Sequence, residues 1–182
     1  MKSNLQIISG KFKGRKLAIP PGARPTQNKA RIALFNMLSE IIPVTNHQSP
    51  ITIWDAFAGS GAFGIECLSR GIAKYVIFTD KDKNACEIIR KNLTGFDPAE
   101  YTIVNKSAAT MNYRLSTIDL IFIDPPYDKP ELGIEIIKHA PTGCVIVWET
   151  VTSDQLPVIS DIEIIKHKKY GRAEFIIMKK IK

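Results

Sequence analysis

A chain of 182 residues, 45% apolar and 24% charged, is long enough for one domain, or one domain with a small appendage, and is no disordered tail. Its 25 Lys and Arg against 18 Asp and Glu give a formal charge of +7, and the surplus is concentrated: residues 1–39 hold eight basic residues and no acid, while the remainder is near neutral. Such asymmetry points to a polyanionic partner, most often nucleic acid, although a solvated basic face would carry the same charge.

Taken in order, residues 5–9 and 15–19 are β-like runs around Gly10-Lys11-Phe12-Lys13-Gly14, which reads as a hairpin with a glycine-flanked loop. Its lysines around Phe12 suit contact with phosphates and bases, and a buried Phe12 that pins the hairpin fits equally well. Pro20-Pro21-Gly22 breaks the chain, and Thr26 or Asn28 is a candidate helix cap. Apolar residues Ile32, Phe35, Leu38 and Ile42 recur at helical spacing over residues 28–42. Lys29 and Arg31 in the first turn oppose the helix dipole, which suggests that they are there for a ligand. A polar linker, residues 43–50, divides the chain into a basic hairpin and helix at 1–43 and a larger unit at 50–182.

From residue 51 the pattern alternates between strand and helix. Strands are predicted at 51–55, 75–80, 101–104, 118–123 and 144–149, and helices at 62–70, 82–93 and 131–139, with a short one near 107–113. This implies an α/β fold with a parallel sheet covered on both faces. Residues 162–168 and 173–178 look like an antiparallel pair closing the sheet. Cys67, Cys86 and Cys144 are odd in number and far apart, so neither disulfides nor a metal site is expected, and a reducing cytoplasm is the expected location. No apolar run approaches the roughly 20 residues of a membrane span, and the apolar stretch at residues 5–8 is too short for a signal peptide.

Two stretches carry chemistry. Gly59, Gly61 and Gly64 match G-x-G-x-x-G directly after the first strand of the larger unit, the context of a nucleotide-binding turn. The next strand ends at Asp80, whose carboxylate can accept both hydroxyls of a ribose; a tight turn and a solvated strand end are the plainer readings. Asp55 would repel the pyrophosphate of a dinucleotide and suit an ammonium group, so the acids favour S-adenosylmethionine over NAD. The second stretch is Asp124-Pro125-Pro126-Tyr127, at the end of an apolar strand. It offers a carboxylate, carbonyls with no competing N–H, and a ring for stacking, which suit the exocyclic amine of an unpaired base.

The runs ITIWDAFAGSGAFGIECLSRG, VIFTDKD and FIDPPY resemble Rossmann-type S-adenosylmethionine-dependent methyltransferases that act on amino nitrogens. The N-terminal IISGKFKGRKLAIPPGARPTQNKARIALFNML and the Tyr170-Gly171 pair resemble the RsmD family, which methylates the N2 amino group of a guanine in 16S ribosomal RNA. The resemblance implies a class I methyltransferase fold: a seven-stranded, mostly parallel sheet with its last strand antiparallel. It implies a cofactor site at Asp55, Phe57, Ala58, Gly59, Gly61, Asp80, Lys81, Ser107, Ala108 and Asp124, and a base site at Asp124, Pro125, Pro126 and Tyr127. RNA contacts are expected from Lys11, Lys13, Arg15, Lys16, Arg24, Thr26 and Arg31, with Arg24, Thr26 and Arg31 also closing the site. The partner would be 16S ribosomal RNA or a small-subunit particle, with the protein a monomer and no metal involved.

Four positions depart from the family pattern. Ser9 stands for a glycine, Ile32 for an acid, Thr79 for an apolar residue, and Ser107 for the aspartate that would bind the adenine amino group. Other readings are an amino-methyltransferase acting on DNA adenine or another RNA, a non-catalytic RNA-binding assembly factor, and, more distantly, a nicotinamide oxidoreductase.

Overall fold

The computed structural model describes residues 5–22, 28–42, 51–111, 117–151 and 159–182. Over these the chain forms α1 (Asn28–Ile41), β1 (Ile51–Asp55), α2 (Ala62–Arg70), β2 (Ala73–Asp80), α3 (Lys83–Asn92), β3 (Tyr101–Asn105), β4 (Leu120–Ile123), α4 (Glu131–His139), β5 (Val145–Thr150), β6 (Ile162–Tyr170) and β7 (Ala173–Lys180). The sequence places every one of these elements to within about two residues at most ends. Of the predicted helix near 107–113, the described residues form a 3-10 turn, Ala108–Thr110, and residues 112 and 113 lie outside them. Arg24, Thr26 and the linker at 43–50 lie outside the described residues.

One sheet runs β3-β2-β1-β4-β5-β7-β6, parallel from β3 to β5, with β7 antiparallel to both β5 and β6. The apolar strands have the reason expected of them: all four residues of β4 and five of six in β5 are buried. Asp119, the one acid in the run leading into β4, lies just outside the strand, where its carboxylate accepts from the Thr52 N–H at 2.8 Å. The two faces of the sheet support separate apolar clusters. One holds Phe35, Phe63, Ile65, Phe78 and Ile89; the other holds Trp54, Ile121, Ile137 and Trp148.

The glycine turn sets how tightly α2 meets the sheet. A Cβ on Gly64 would come within 2.4 Å of the Phe78 ring and 2.7 Å of a Val76 methyl, so only glycine permits this approach. Thr79 also has a structural role. It is fully buried, and its hydroxyl accepts the Trp54 indole N–H at 2.9 Å, so the polar substitution answers a buried donor on the neighbouring strand.

The N-terminal segment shares its core with the larger unit: Leu5, Ile7, Leu17, Leu34, Phe35 and Leu38 pack in one cluster with Ile53, Phe63 and Phe122. The expected hairpin is narrow, a single antiparallel bridge between Gln6 and Lys16. Its loop is docked. Lys11 N–H donates to the Ser69 carbonyl at 2.7 Å, and Phe12 N–H to Ser69 Oγ at 3.0 Å. Phe12 lies 4.2 Å, centroid to centroid, from Phe96, so the ring pins the hairpin. Gly10 has φ +86°, and a Cβ there would fall 1.8 Å from the Ser69 carbonyl oxygen.

Glu66 holds these pieces together. Its fully buried carboxylate accepts from Ile8 N–H (2.7 Å), Ser9 N–H (2.9 Å), Arg31 Nη2 (3.1 Å) and Arg70 Nε (2.7 Å). Arg31 also donates to the carbonyls of Gln6 and Ala62. Arg31 in the first turn of α1 is therefore paired with a protein carboxylate, a partner that the local sequence does not announce. Glu66→Gln leaves Arg31 buried without its countercharge. The expected loss is about 3–5 kcal/mol of unfolding free energy, read by urea denaturation. Thr79→Val is expected to lose about 1–3 kcal/mol through the stranded indole N–H.

Candidate active site

The carboxyl ends of β1, β4 and β5 deliver three acids to one edge of the sheet: Asp55, Asp124 and Glu149. All three line an inner cavity of about 130 Å³. Its other walls include Phe57, Ala58 and Gly59 from the glycine loop, Ile19 and Pro20 from the N-terminal segment, and Arg31 from α1. An outer cavity of about 570 Å³ opens beside it, with Asp80, Lys81, Ser107 and Ala108 on one side and the stretch from Asp124 to Tyr127 on the other. Phe57 and Asp124 belong to both walls. This is the crevice at the carboxyl ends of the strands where open α/β sheets take their ligands.

Local bonding explains how the loop is held. Asp80 Oδ2 accepts the Gly59 N–H at 2.8 Å, and Oδ1 accepts the Asp82 N–H at 2.9 Å. Asp55 Oδ2 accepts the Gly64 N–H at 3.2 Å. Asn105 Nδ2 donates to the carbonyls of Asp80 and Lys81, both at 3.0 Å, and so ties the end of β3 to the turn after β2.

The acids are crowded, with Asp55 and Glu149 buried and Asp124 half-buried. Asp55 is 1% exposed, and burial pushes its carboxyl up to about 7, with Asp80 and Glu149 adding repulsion against the Gly64 hydrogen bond. Asp124 is raised well above the usual carboxylate range by burial first, then by Glu149 and Asp55. Negative potential in a low-dielectric cleft attracts cations and rejects phosphates.

The structure brings together most of the residues expected at the site. Asp55, Phe57, Ala58 and Gly59 are in the inner cavity; Asp80, Lys81, Ser107 and Ala108 are in the outer one; Asp124, Pro125, Pro126 and Tyr127 border it. Pro125 is buried, whereas Pro126 is exposed and Tyr127 is 56% exposed. Gly61 does not line either cavity; it opens α2 with φ 76° and donates its N–H to the Ala58 carbonyl. Ser107 precedes the 3-10 turn, and its carbonyl accepts from Thr110. Ile32 is exposed on α1 and lines neither cavity.

Of the basic residues assigned to RNA, Lys11, Lys13 and Arg15 are not at this edge. Lys11 and Lys13 are exposed on a loop docked on Ser69 and Phe96, beyond the distal ends of α2 and α3, and Lys16 is exposed opposite Gln6 in the run that follows. Nine residues of α2 separate that loop from the glycine turn, about 13 Å of helix. Arg15 is laid over the rings of Phe12 and Phe96 at 5.5 and 5.9 Å. Arg31, expected both to touch RNA and to close the site, is 4% exposed and paired with Glu66, so it is closed to a polynucleotide backbone while still lining the inner cavity. Among the described residues its Nε has no hydrogen-bond partner.

The sequence matches the family described as Conserved hypothetical protein 95 over residues 5–179. The chain belongs to this family. Ribosomal RNA small subunit methyltransferase D of Escherichia coli is 35% identical to it over 126 residues, which cover 68% of this chain and 60% of that protein. The match thus spans less than two thirds of that relative. The "Putative rRNA methyltransferase YlbH" of Bacillus subtilis is 31% identical over 97% of this chain and 99% of its own length. A solved structure, "Putative methyltransferase yhhF" of Escherichia coli, superposes with a TM-score of 0.78 at 27% identity, over 97% of both chains. The expected RsmD family and class I methyltransferase fold are both borne out.

Sequence reasoning did not single out Glu149. Its signal was present, since it ends an apolar strand as Asp55 and Asp80 do. Among the described residues no cluster of His, Cys, Asp and Glu is arranged to hold a metal, and no helix is long and apolar enough to cross a membrane.

A raised carboxyl favours the folded state at low pH, where it is protonated, and that stability is lost as pH climbs from the ordinary carboxylate value through about 7. Free protein is therefore expected to lose stability between pH 5 and pH 8. Asp55→Asn should shrink that loss by an amount on the order of a few kcal/mol, measured by urea denaturation at each pH.

Proposed function

We propose that the protein transfers a methyl group from S-adenosylmethionine to the N2 amino group of a guanine in 16S ribosomal RNA, as a cytoplasmic step in small-subunit maturation. The observation that carries this reading is the position of Asp124, which borders both the acid-lined inner cavity and the larger outer one beside Tyr127. The names of the relatives support ribosomal RNA as substrate, and the choice of guanine N2 rests on the resemblance to the RsmD family.

The donor set fits the cofactor. Asp80 would take the ribose hydroxyls, and the backbone around Ser107 and Ala108 would face the adenine. The amino-acid part of the cofactor has one ammonium and one carboxylate. Asp55, Asp124 and Glu149 answer the first, and the unpaired buried Nε of Arg31 answers the second. When bound, S-adenosylmethionine supplies an electrophilic methyl carbon on a positively charged sulfur.

The rest is the work of the chain. Asp124 accepts one N–H of the exocyclic amine and the Pro125 carbonyl the other, which turns the nitrogen lone pair out of the base plane. The Pro126 carbonyl is already committed to the Lys129 N–H at 2.8 Å. Tyr127 stacks on the base, a contact worth about 1–3 kcal/mol. A cationic ligand among the acids draws Asp55 and Asp124 back toward the ionised form. Asp124, raised by burial first and then by Glu149 and Asp55, is in its ionised form the base that takes the spare proton from the methylated nitrogen. No covalent enzyme intermediate is required, because positioning and electrostatics lower the barrier. The target base must be unpaired or flipped to reach Asp124.

The test offers labelled S-adenosylmethionine with naked 16S RNA, small-subunit particles and DNA, each lacking the modification. Label is expected on RNA or particle, and nucleoside mass analysis should return N2-methylguanosine. Label on DNA alone, or N6-methyladenosine, would refute the reading. Asp124→Ala should cut transfer at least about 100-fold while calorimetry still detects cofactor binding. Wild-type affinity for the cofactor should rise between pH 6 and pH 8 as the acids ionise, and Asp55→Asn should bind more weakly with a flatter pH dependence.

A further inference from the structure

Basic residues gather at a second place. Between residues 164 and 172 the chain carries Lys166, Lys168, Lys169 and Arg172, with no acid. These residues form the second half of β6 and its turn into β7, and Lys168, Lys169, Tyr170 and Arg172 are all exposed. Lys166 pairs with Glu40 of α1, and His167 with Glu174. Among the described residues, Lys168, Lys169 and Arg172 form no ion pair.

Strand register places this tip at the catalytic edge. Ile123 pairs with Trp148, Trp148 with Ile176, and Ile176 with His167. The next row toward the carboxyl ends therefore runs from Asp124 through Glu149 and Phe175 to Lys168, with Glu149 paired to Phe175 and Phe175 to Lys168. Lys168 is three strand spacings from Asp124, about 14 Å. Lys169, Tyr170 and Arg172 lie farther along the same edge. The loop with Lys11 and Lys13, in contrast, docks at the distal ends of α2 and α3.

An edge strand carries lysines for another reason, to block pairing with other chains. That need is uniform along a strand, and the charge here is not. Asp161 and Glu163 are at the start of β6, and the bases are at its end and in the turn. Tyr170 adds an exposed aromatic among them, packed against Phe175 at 6.4 Å. Interleaved bases and an aromatic ring form the surface that holds single-stranded backbone and bases.

We propose that the β6–β7 tip, through Lys168, Lys169 and Arg172, grips the phosphates flanking the target nucleotide and holds the RNA strand across the mouth of the outer cavity. The inference rests on the ribosomal RNA reading above. It assigns the near contact to the C-terminal hairpin and leaves the N-terminal loop a more distant one.

The test compares wild type with Lys168→Ala/Lys169→Ala, and with Lys179→Ala/Lys182→Ala, which removes the same charge from exposed positions at the opposite end of β7 and beyond it. Binding to a 16S RNA transcript is titrated at 50 to 200 mM KCl, alongside methyl-transfer kinetics and melting. The tip variant should bind about tenfold more weakly at low salt, with the slope of log K against log salt shallower by about 1.4, two phosphates at about 0.7 each. KM for RNA should rise with kcat within about twofold, while cofactor affinity and melting stay at wild-type values. The Lys179/Lys182 variant should shift RNA affinity less than about threefold. Equal losses in the two variants, or an unchanged slope in the tip variant, would overturn the proposal. Failure of wild type to methylate 16S RNA would instead overturn the reading on which it rests; normal wild-type transfer with an unmoved tip variant would remove the tip alone.

Discussion

A buried carboxylate with four donors governs how this chain closes on itself. Glu66 accepts from two backbone N–H groups of the N-terminal strand, from Arg31 of α1 and from Arg70 one turn along its own helix. It joins three segments of sequence that are separated by up to 58 residues. An ion pair this deep repays its desolvation only when the remaining lone pairs are also satisfied, and here both oxygens accept twice. Its consequence is positional. Ile19 and Pro20 continue from the segment that Glu66 holds and form one wall of the inner cavity. Asn92 secures the same stretch from α3, donating to the carbonyls of Ala18 and Ser60 and accepting the Ala18 N–H. The wall of the inner cavity is thus built in part from the N-terminal segment.

The same network sets the charge of the cleft. Arg31 is drawn toward Glu66 and away from full neutralisation of Asp55, Asp124 and Glu149, which are left to repel one another. In the free protein that repulsion is relieved by protons. In the proposed complex it is relieved by a ligand with two positive centres, which the cleft favours because it remains underneutralised. A dinucleotide pyrophosphate would meet three carboxylates at the same place. The chemistry of the site therefore selects against the nicotinamide reading on charge alone, without appeal to the fold, which both cofactor classes share.

Much of this was legible in the sequence because it was written locally. Apolar runs ending in single acids marked β1, β2 and β4, and Asp55, Asp80 and Asp124 are where those endings put them. The close approach of α2 could be read from the third glycine. What escaped was pairing across distance. Thr79 reads only as a departure from the family pattern until Trp54 is seen to donate to it, and the carboxylate that pairs with Arg31 stands 35 residues away, on Glu66. Phe12 had two readings because a hairpin loop does not state which surface it docks on; Phe96 and Ser69 decide it. Glu149 carried a local signal of the same kind as Asp55, and only its neighbours in the cavity give that signal meaning.

Charge counting along the sequence located the basic surplus correctly and its geometry only in part. Eight bases in the first 39 residues suggest one arm that grips RNA beside the active site. In the fold that surplus is dispersed: Arg31 is buried beside Glu66, Arg15 lies on two aromatic rings, and Lys11 and Lys13 are on a loop docked at the distal end of α2. A globule that is near neutral outside the arm can still present a basic rim, because strand direction sorts charges that composition averages. Asp161 and Glu163 cancel Lys168 and Lys169 in the sum, but β6 puts one pair at each end of the sheet. In the proposed complex an RNA at Asp124 would pass the end of β6 that carries Lys168 and Lys169, while at the other end Asp161 and Glu163 stand beside Lys179 and Lys180.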